Sequence, residues 1–305
     1  MTPTDQHREG LDLRIIGFVG LGLMGLPMSM RLLAEGFELR AYDADPAARE
    51  RFREATGTET APSLSALAED VDAIILMLPT SKVVRHVLVD EGLLAAAREG
   101  TLFIDMGSSE PPETESLASL AATNFEVELI DAPVSGGVPG AQNGTLSIMV
   151  GGSDSQFSTS KPLLDSLGSH VDHIGGVGSG HALKALNNLM SATSLLISSE
   201  ALAVGMAFGL QPGVMVDIIN ASTGRSWSTQ VKIPEQVLNS RYSSGFSLQL
   251  MVKDLRNAMA IARATGIEVG LAERSVQLWE QAAEELGEKA DHTSIAQWVF
   301  ERLER

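Results

Sequence analysis

The chain of 305 residues carries thirty-nine Asp and Glu against twenty-two Lys and Arg, a formal net charge of −17, which disfavours nucleic acid and anionic membranes as partners. Its 44% hydrophobic and 20% charged residues are those of a folding chain with a sizeable core. With no cysteine, disulfides, thiolate nucleophiles and thiolate metal sites are excluded, and a reducing, cytoplasmic setting is expected.

Residues 1–13 are polar, lack an apolar stretch of signal-peptide length, and predict a disordered leader. From Arg14 onward, short apolar runs alternate with helical stretches: RIIGFV, FELRAY and DAIILML, then TLFID, VELID, LSIMV and HVDHI. Each run is apolar on successive residues, as expected of strands covered by helices on both faces. The pattern predicts an α/β domain built on a doubly wound parallel sheet of six to eight strands, ending near residue 175.

Beyond GGVGSG (residues 175–180) the strand signal stops and helical periodicity runs to the C-terminus. The predicted organisation is a leader at 1–13, a dinucleotide-binding α/β domain at 14–178 and an all-α domain at 179–305. A helix from His181 to about Leu210 would join the two. Residues 189–210 are long enough to span a bilayer, but Glu200 sits mid-segment among Ser and Thr, so a buried helix between domains is expected.

Gly20, Gly22 and Gly25 form G-x-G-x-x-G directly after the first strand and before a helical stretch. In that context the first glycine permits a tight turn, the second a close approach to a pyrophosphate and the third close packing of helix on strand. The loop also contains Leu21, Leu23 and Met24. Asp43, at the end of the second strand, is placed to accept hydrogen bonds from a ribose, which favours NAD and leaves NADP possible through Arg40 or Arg49. The bland reading is a turn and helix start around Asp45 and Pro46.

Lys184 is the only Lys or Arg from residue 181 to 210, with Asn187 and Asn188 at i+3 and i+4 on its helical face. Periodicity alone is equally consistent with a snorkelling lysine beside two amides at a domain junction. Ser135, Gly136 and Gly137 offer a hydroxyl and unobstructed backbone N–H groups, a nest for a carboxylate, or simply a turn between strands. His170, His173 and His181 match no zinc spacing and are expected to be structural.

Taken together, GFVGLGLMGLPM, DAPVSGG (residues 131–137), G-x-G-x-x-x-K-x-x-N-N (residues 178–188) and Lys253-Asp254 resemble the β-hydroxyacid dehydrogenase family, in family order over about residues 14–265. The resemblance implies an N-terminal Rossmann domain, a helical C-terminal domain and hydride exchange between a nicotinamide and a short hydroxy acid. It implies Lys184 as general acid and base, and Ser135, Gly136, Gly137 and Asn188 as substrate contacts. Leu78, Pro79 and Ser108 would flank the cofactor, with Phe246 and Lys253 closing over the nicotinamide. Relatives commonly read D-x-S-T-x-x-P where this chain has DMGSSEP, so Gly107 replaces the usual Ser and Ser108 takes the Thr position. Trp227 is expected to shape the substrate pocket or to anchor a subunit contact.

The expected activity is interconversion of a small carboxylate such as 3-hydroxyisobutyrate with its semialdehyde, in a homodimer or homotetramer without a metal. Reduction of tartronate semialdehyde is the alternative. Imine reduction, whose enzymes generally lack the matching lysine, and non-catalytic NAD sensing are more remote readings.

Overall fold

The structure, a computed structural model, describes residues 13–303. All but the last residue of the predicted leader lies outside that range; Leu13 itself is buried in the core rather than part of a free segment. The chain divides into two compact units, the first ending at Lys184 and the second beginning at Ala185.

The first unit is built on β1 (Ile15–Val19), β2 (Glu38–Tyr42), β3 (Ala73–Leu76), β4 (Leu102–Asp105), β5 (Glu128–Asp131), β6 (Val134–Ser135), β7 (Leu146–Gly151) and β8 (Gly168–Gly175). These form one eight-stranded sheet, in the order β2-β1-β3-β4-β5-β7-β6 with β8 paired to β7. Successive residues feed opposite faces. Ile16, Phe18, Ala73, Ile75 and Ile104 enter one hydrophobic cluster, while Val19, Ile74, Leu76 and Phe103 enter the other. This two-sided burial is why the strand runs read as continuously apolar.

The sheet is parallel from β2 through β5, but β7 runs antiparallel to β5 and to β6. The parallel expectation therefore holds from β2 through β5 and again where β8 pairs with β7, and is corrected only where β7 meets β5 and β6. The two-residue β6 inside DAPVSGG was not anticipated. Only residues 136–145 separate β6 from β7, and that length is too short for a parallel crossover.

The parallel strands are in register so that Tyr42, Val19, Leu76, Asp105 and Asp131 form one row across the sheet. Each is the last residue of its strand. The loops that follow therefore leave from a single carboxyl edge, with the switch in strand order between β1 and β3, where ligands bind in open α/β sheets.

The helix Ser179–Phe208, of 30 residues, has the predicted length, and the boundary between the two units falls inside it. It is the one described helix long and apolar enough to cross a membrane. Its burial differs from expectation. Ala192, Leu195, Leu196, Ser199, Leu202 and Ala203 are buried, whereas Met190, Ile197, Val204 and Phe208 are exposed, because at 3.6 residues per turn only one face meets its unit's core.

The second unit is helical, with Pro212–Asn220, Ser228–Val237, Leu248–Thr265, Gly270–Leu286 and Ile295–Leu303 following that helix. They pack around Leu195, Ile233, Leu255, Trp279 and Ile295. The helix Leu248–Thr265 starts at an N-cap where Ser247 accepts the Leu250 N–H and stops at left-handed Gly266, a sequence of cap signals that fixes the placement of Lys253 and Asp254.

Candidate active site

The glycine loop follows β1, and each glycine answers to a different constraint. Gly20 has φ of +100°, and a Cβ there would sit 2.3 Å from the Met77 carbonyl oxygen. A Cβ on Gly25 would lie 1.8 Å from the Gly20 oxygen, so helix Gly25–Ala34 packs directly on the loop. Gly22, by contrast, faces open space. The first turn of this helix has no side-chain cap, leaving backbone donors toward a space only a glycine keeps clear, as a pyrophosphate requires. Leu21 is buried, while Leu23 is exposed beside half-buried Met24.

The Asp43 carboxylate accepts the Leu21 N–H at 2.6 Å and the Asp45 N–H at 2.8 Å. Each oxygen keeps a lone pair for a further donor. Arg40 donates to the Glu69 carbonyl oxygen, and the Arg49 guanidinium lies 5.6 Å from the centre of the Tyr42 ring.

Leu78 and Pro79 follow β3, and the Leu78 carbonyl lies against Gly107 in the loop after β4. There Asp105 accepts the Gly107 N–H at 2.9 Å and the Ser109 hydroxyl at 2.7 Å, pinning the chain on both sides of half-buried Ser108. A Cβ at Gly107 would come within 2.6 Å of the Leu78 carbonyl oxygen. This contact leaves no room for a side chain at position 107 without a shift of the Leu78 backbone.

After β5 the DAPVSGG segment places half-buried Ser135 at the end of β6, followed by Gly136 and Gly137 with φ of +130° and +61°. Both glycines are exposed and take positive φ, a conformation that other residues resist.

Asp131, which opens the same segment, is fully buried. Its carboxylate accepts the backbone N–H groups of Gly178 and His181, both at 2.7 Å. Burial raises its carboxyl above the ordinary value, against the opposing effect of His181 and the two N–H groups. The His181 ring is also buried, its Nδ1 lies 2.9 Å from the Thr114 hydroxyl, and its Nε2 lies 3.7 Å from Asp105. Close approach explains the second glycine of G-x-G-x-x-x-K, since a Cβ on Gly180 would sit 2.1 Å from the Met149 carbonyl oxygen. Lys184, half-buried, follows one turn after His181 on the same helix.

In the second unit, Asn188 is buried and donates to Asp254 at 2.6 Å, while Asn187 donates to Asn188 at 3.3 Å. Lys253 lies 3.0 Å from Asp254. The two amides expected on the helical face of Lys184 are therefore linked to each other and to a carboxylate. Phe246 is half-buried and meets His292 edge to face, with ring centres 5.6 Å apart; His292 donates its backbone N–H to the Phe246 carbonyl. Trp227 is 68% exposed.

Sequence reasoning did not single out Asp105, Asp131 and Asp254 as buried hydrogen-bond acceptors, whereas the structural role expected of His181 fits its buried ring. Asp131 and Asp254 stood inside quoted motifs, but nothing in one sequence distinguishes a buried carboxylate from a solvated one. His173 stacks on Phe157 and meets the Gly152 carbonyl at 2.7 Å, away from His181. Among the described residues no group of three or more His, Asp or Glu could hold a metal ion.

A family model for the NAD binding domain of 6-phosphogluconate dehydrogenase matches residues 15–175, and one for the NAD-binding region of NADP-dependent 3-hydroxyisobutyrate dehydrogenase matches residues 178–299. The chain is thus a nicotinamide dinucleotide-dependent oxidoreductase.

It belongs to the β-hydroxyacid dehydrogenase family. It is 35% identical to the mitochondrial 3-hydroxyisobutyrate dehydrogenase of Mus musculus, over 94% of this chain and 87% of that one. It is also 35% identical to the 2-(hydroxymethyl)glutarate dehydrogenase of Eubacterium barkeri, over 87% and 88%. A solved structure of Mycobacterium tuberculosis 3-hydroxyisobutyrate dehydrogenase with L-serine matches with a TM-score of 0.86 and 33% identity, over 94% and 99%. An imine reductase of Streptomyces aurantiacus, at 17% identity and a TM-score of 0.64, shares the fold alone.

Proposed function

We propose that the protein oxidises 3-hydroxyisobutyrate or a similarly short β-hydroxy acid to its semialdehyde, and catalyses the reverse, with NAD as the favoured cofactor. The observation that carries the substrate class is the pair of left-handed glycines after Ser135, whose N–H groups suit a carboxylate. The 3-hydroxyisobutyrate dehydrogenases among the relatives support the particular acid. The Asp43 carboxylate at the end of β2 supports NAD, since a 2′-phosphate would face its charge.

A bound nicotinamide supplies the hydride acceptor or donor. Lys184 Nζ takes the hydroxyl proton as the hydroxymethyl carbon is oxidised, and returns it to the alkoxide oxygen in reduction. Ser135, Gly136 and Gly137 hold the substrate carboxylate, and Asn188 is the motif-matched substrate contact. Leu78, Pro79 and Ser108 border the dinucleotide; Phe246 and Lys253 carry the family's closing role.

The test is reduced-nicotinamide absorbance with NAD and NADP in parallel, against 3-hydroxyisobutyrate, glycerate, threonate, 4-hydroxybutyrate and serine. Turnover of 3-hydroxyisobutyrate is expected, reduced about 10²- to 10⁴-fold in Lys184→Ala. Near-normal turnover in that variant would remove the lysine from the mechanism.

A homo-oligomer located in the cytoplasm completes the reading. The exposed Met190, Ile197, Val204 and Phe208, spaced along one helix face, support self-association.

A further inference from the structure

We propose that Asp131 is a positioning residue for Lys184, fixing the start of the lysine-bearing helix relative to the loop that ends in Ser135, Gly136 and Gly137. The inference rests on the reading of Lys184 as the proton-transfer group.

Helix N-termini are ordinarily capped by a surface hydroxyl or amide, which costs little desolvation. Here the donors of Gly178 and His181 are met by a carboxylate buried at the end of β5, an expensive group to remove from water. Each carboxylate oxygen takes one N–H, a two-point attachment that restricts both rotation and sliding of the helix start. Lys184 lies three residues beyond His181, within the next turn, so movement at the attachment is carried to its side chain.

The surroundings lock the carboxylate in turn. A Cβ on Gly151 would lie 2.4 Å from one Asp131 oxygen, and one on Gly180 would lie 2.9 Å from the other, so glycines line its approach. The His181 ring stands between Asp131 and Asp105, at 3.8 Å and 3.7 Å, with Thr114 on Nδ1. Its Nε2 is buried without a hydrogen-bond partner. Asp105 holds the loop bearing Ser108. One buried cluster thus joins three segments, those of Ser108, Ser135 and Lys184.

The discriminating experiment is a double-mutant cycle on kcat with Asp131→Asn and Lys184→Ala, each variant first checked for cooperative thermal unfolding and dinucleotide binding. Asparagine offers one acceptor where the carboxylate offers two. Asp131→Asn alone is expected to lower kcat about tenfold or more, the scale of one lost charge-assisted hydrogen bond, with the dinucleotide Kd unchanged. In the Lys184→Ala background the same change should have no further effect, because its route to the chemistry is gone.

Equal losses in both backgrounds, or no loss beside intact Lys184, would overturn the positioning role. Wild-type turnover by Lys184→Ala would instead sink the lysine assignment itself. If Asp131→Asn does not fold, Thr114→Val replaces it. This variant strips the partner from His181 Nδ1 and should cost about threefold in kcat, again only with Lys184 present.

Discussion

The Asp43 carboxylate accepts the Leu21 backbone N–H at 2.6 Å, so the group expected to select the cofactor also braces the loop expected to hold the pyrophosphate. Asp43→Ala should therefore weaken NAD about 10- to 100-fold, from lost charge-assisted hydrogen bonds. NADP should be less affected, because the charge opposing a 2′-phosphate disappears as well. Parallel titrations with the two dinucleotides measure this, and equal weakening of both would show that Asp43 braces the loop without selecting.

Gly22 and Gly25 belong to one motif but should fail differently. A Cβ on Gly25 would clash with the Gly20 carbonyl, so Gly25→Ala should destabilise the fold by about 1–3 kcal/mol. Gly22 faces open space, so Gly22→Ala should unfold at nearly the wild-type temperature while dinucleotide binding weakens. Scanning calorimetry beside a binding titration separates the two effects.

Asn188 donates to buried Asp254, and Asn188→Ala would leave that carboxylate short of a donor. A loss of about 1–3 kcal/mol of stability is expected. The double variant Asn188→Ala/Asp254→Ala should cost less than the sum of the single changes, because the two share one interaction. Strict additivity in urea unfolding would mean that the bond contributes nothing.

His292 is held down to about 4 from an ordinary 6.5, mainly by burial and further by the Lys232 charge, with Asp291 and a hydrogen bond at Phe246 opposing. Below about pH 6.5 the unfolded chain takes up a proton that the folded chain refuses until about pH 4. Stability should thus be greatest above 6.5 and fall as the pH drops toward 4. Urea midpoints across that window should show the decline, and His292→Asn should flatten it.

Self-association through the exposed face of the helix Ser179–Phe208 predicts that Ile197→Glu lowers the mass in sedimentation equilibrium. Ile197 is 57% exposed, so the change costs the isolated chain little. An unaltered mass would place any subunit contact elsewhere.

Local rules made the strand runs, the glycine loop and the onset of helix after residue 175 legible in the sequence. Each depends on neighbours a few residues apart, whose spacing the chain displays directly. The motifs around Lys184 and Ser135 are visible in the same way, but only the family resemblance assigns them a chemistry, since the residue types alone fit a snorkelling lysine and a turn equally well. What only tertiary structure decided is which distant groups share an environment. Asp131, Asp105 and His181 are separated by up to 76 positions in the chain, yet form one buried cluster. The Leu78 backbone lies against Gly107, and Asp254 becomes a partner of Asn188 across 66 residues. Burial of a charge and the approach of two backbones are properties of packing, set by where strand ends and helix starts meet, and no local periodicity encodes them.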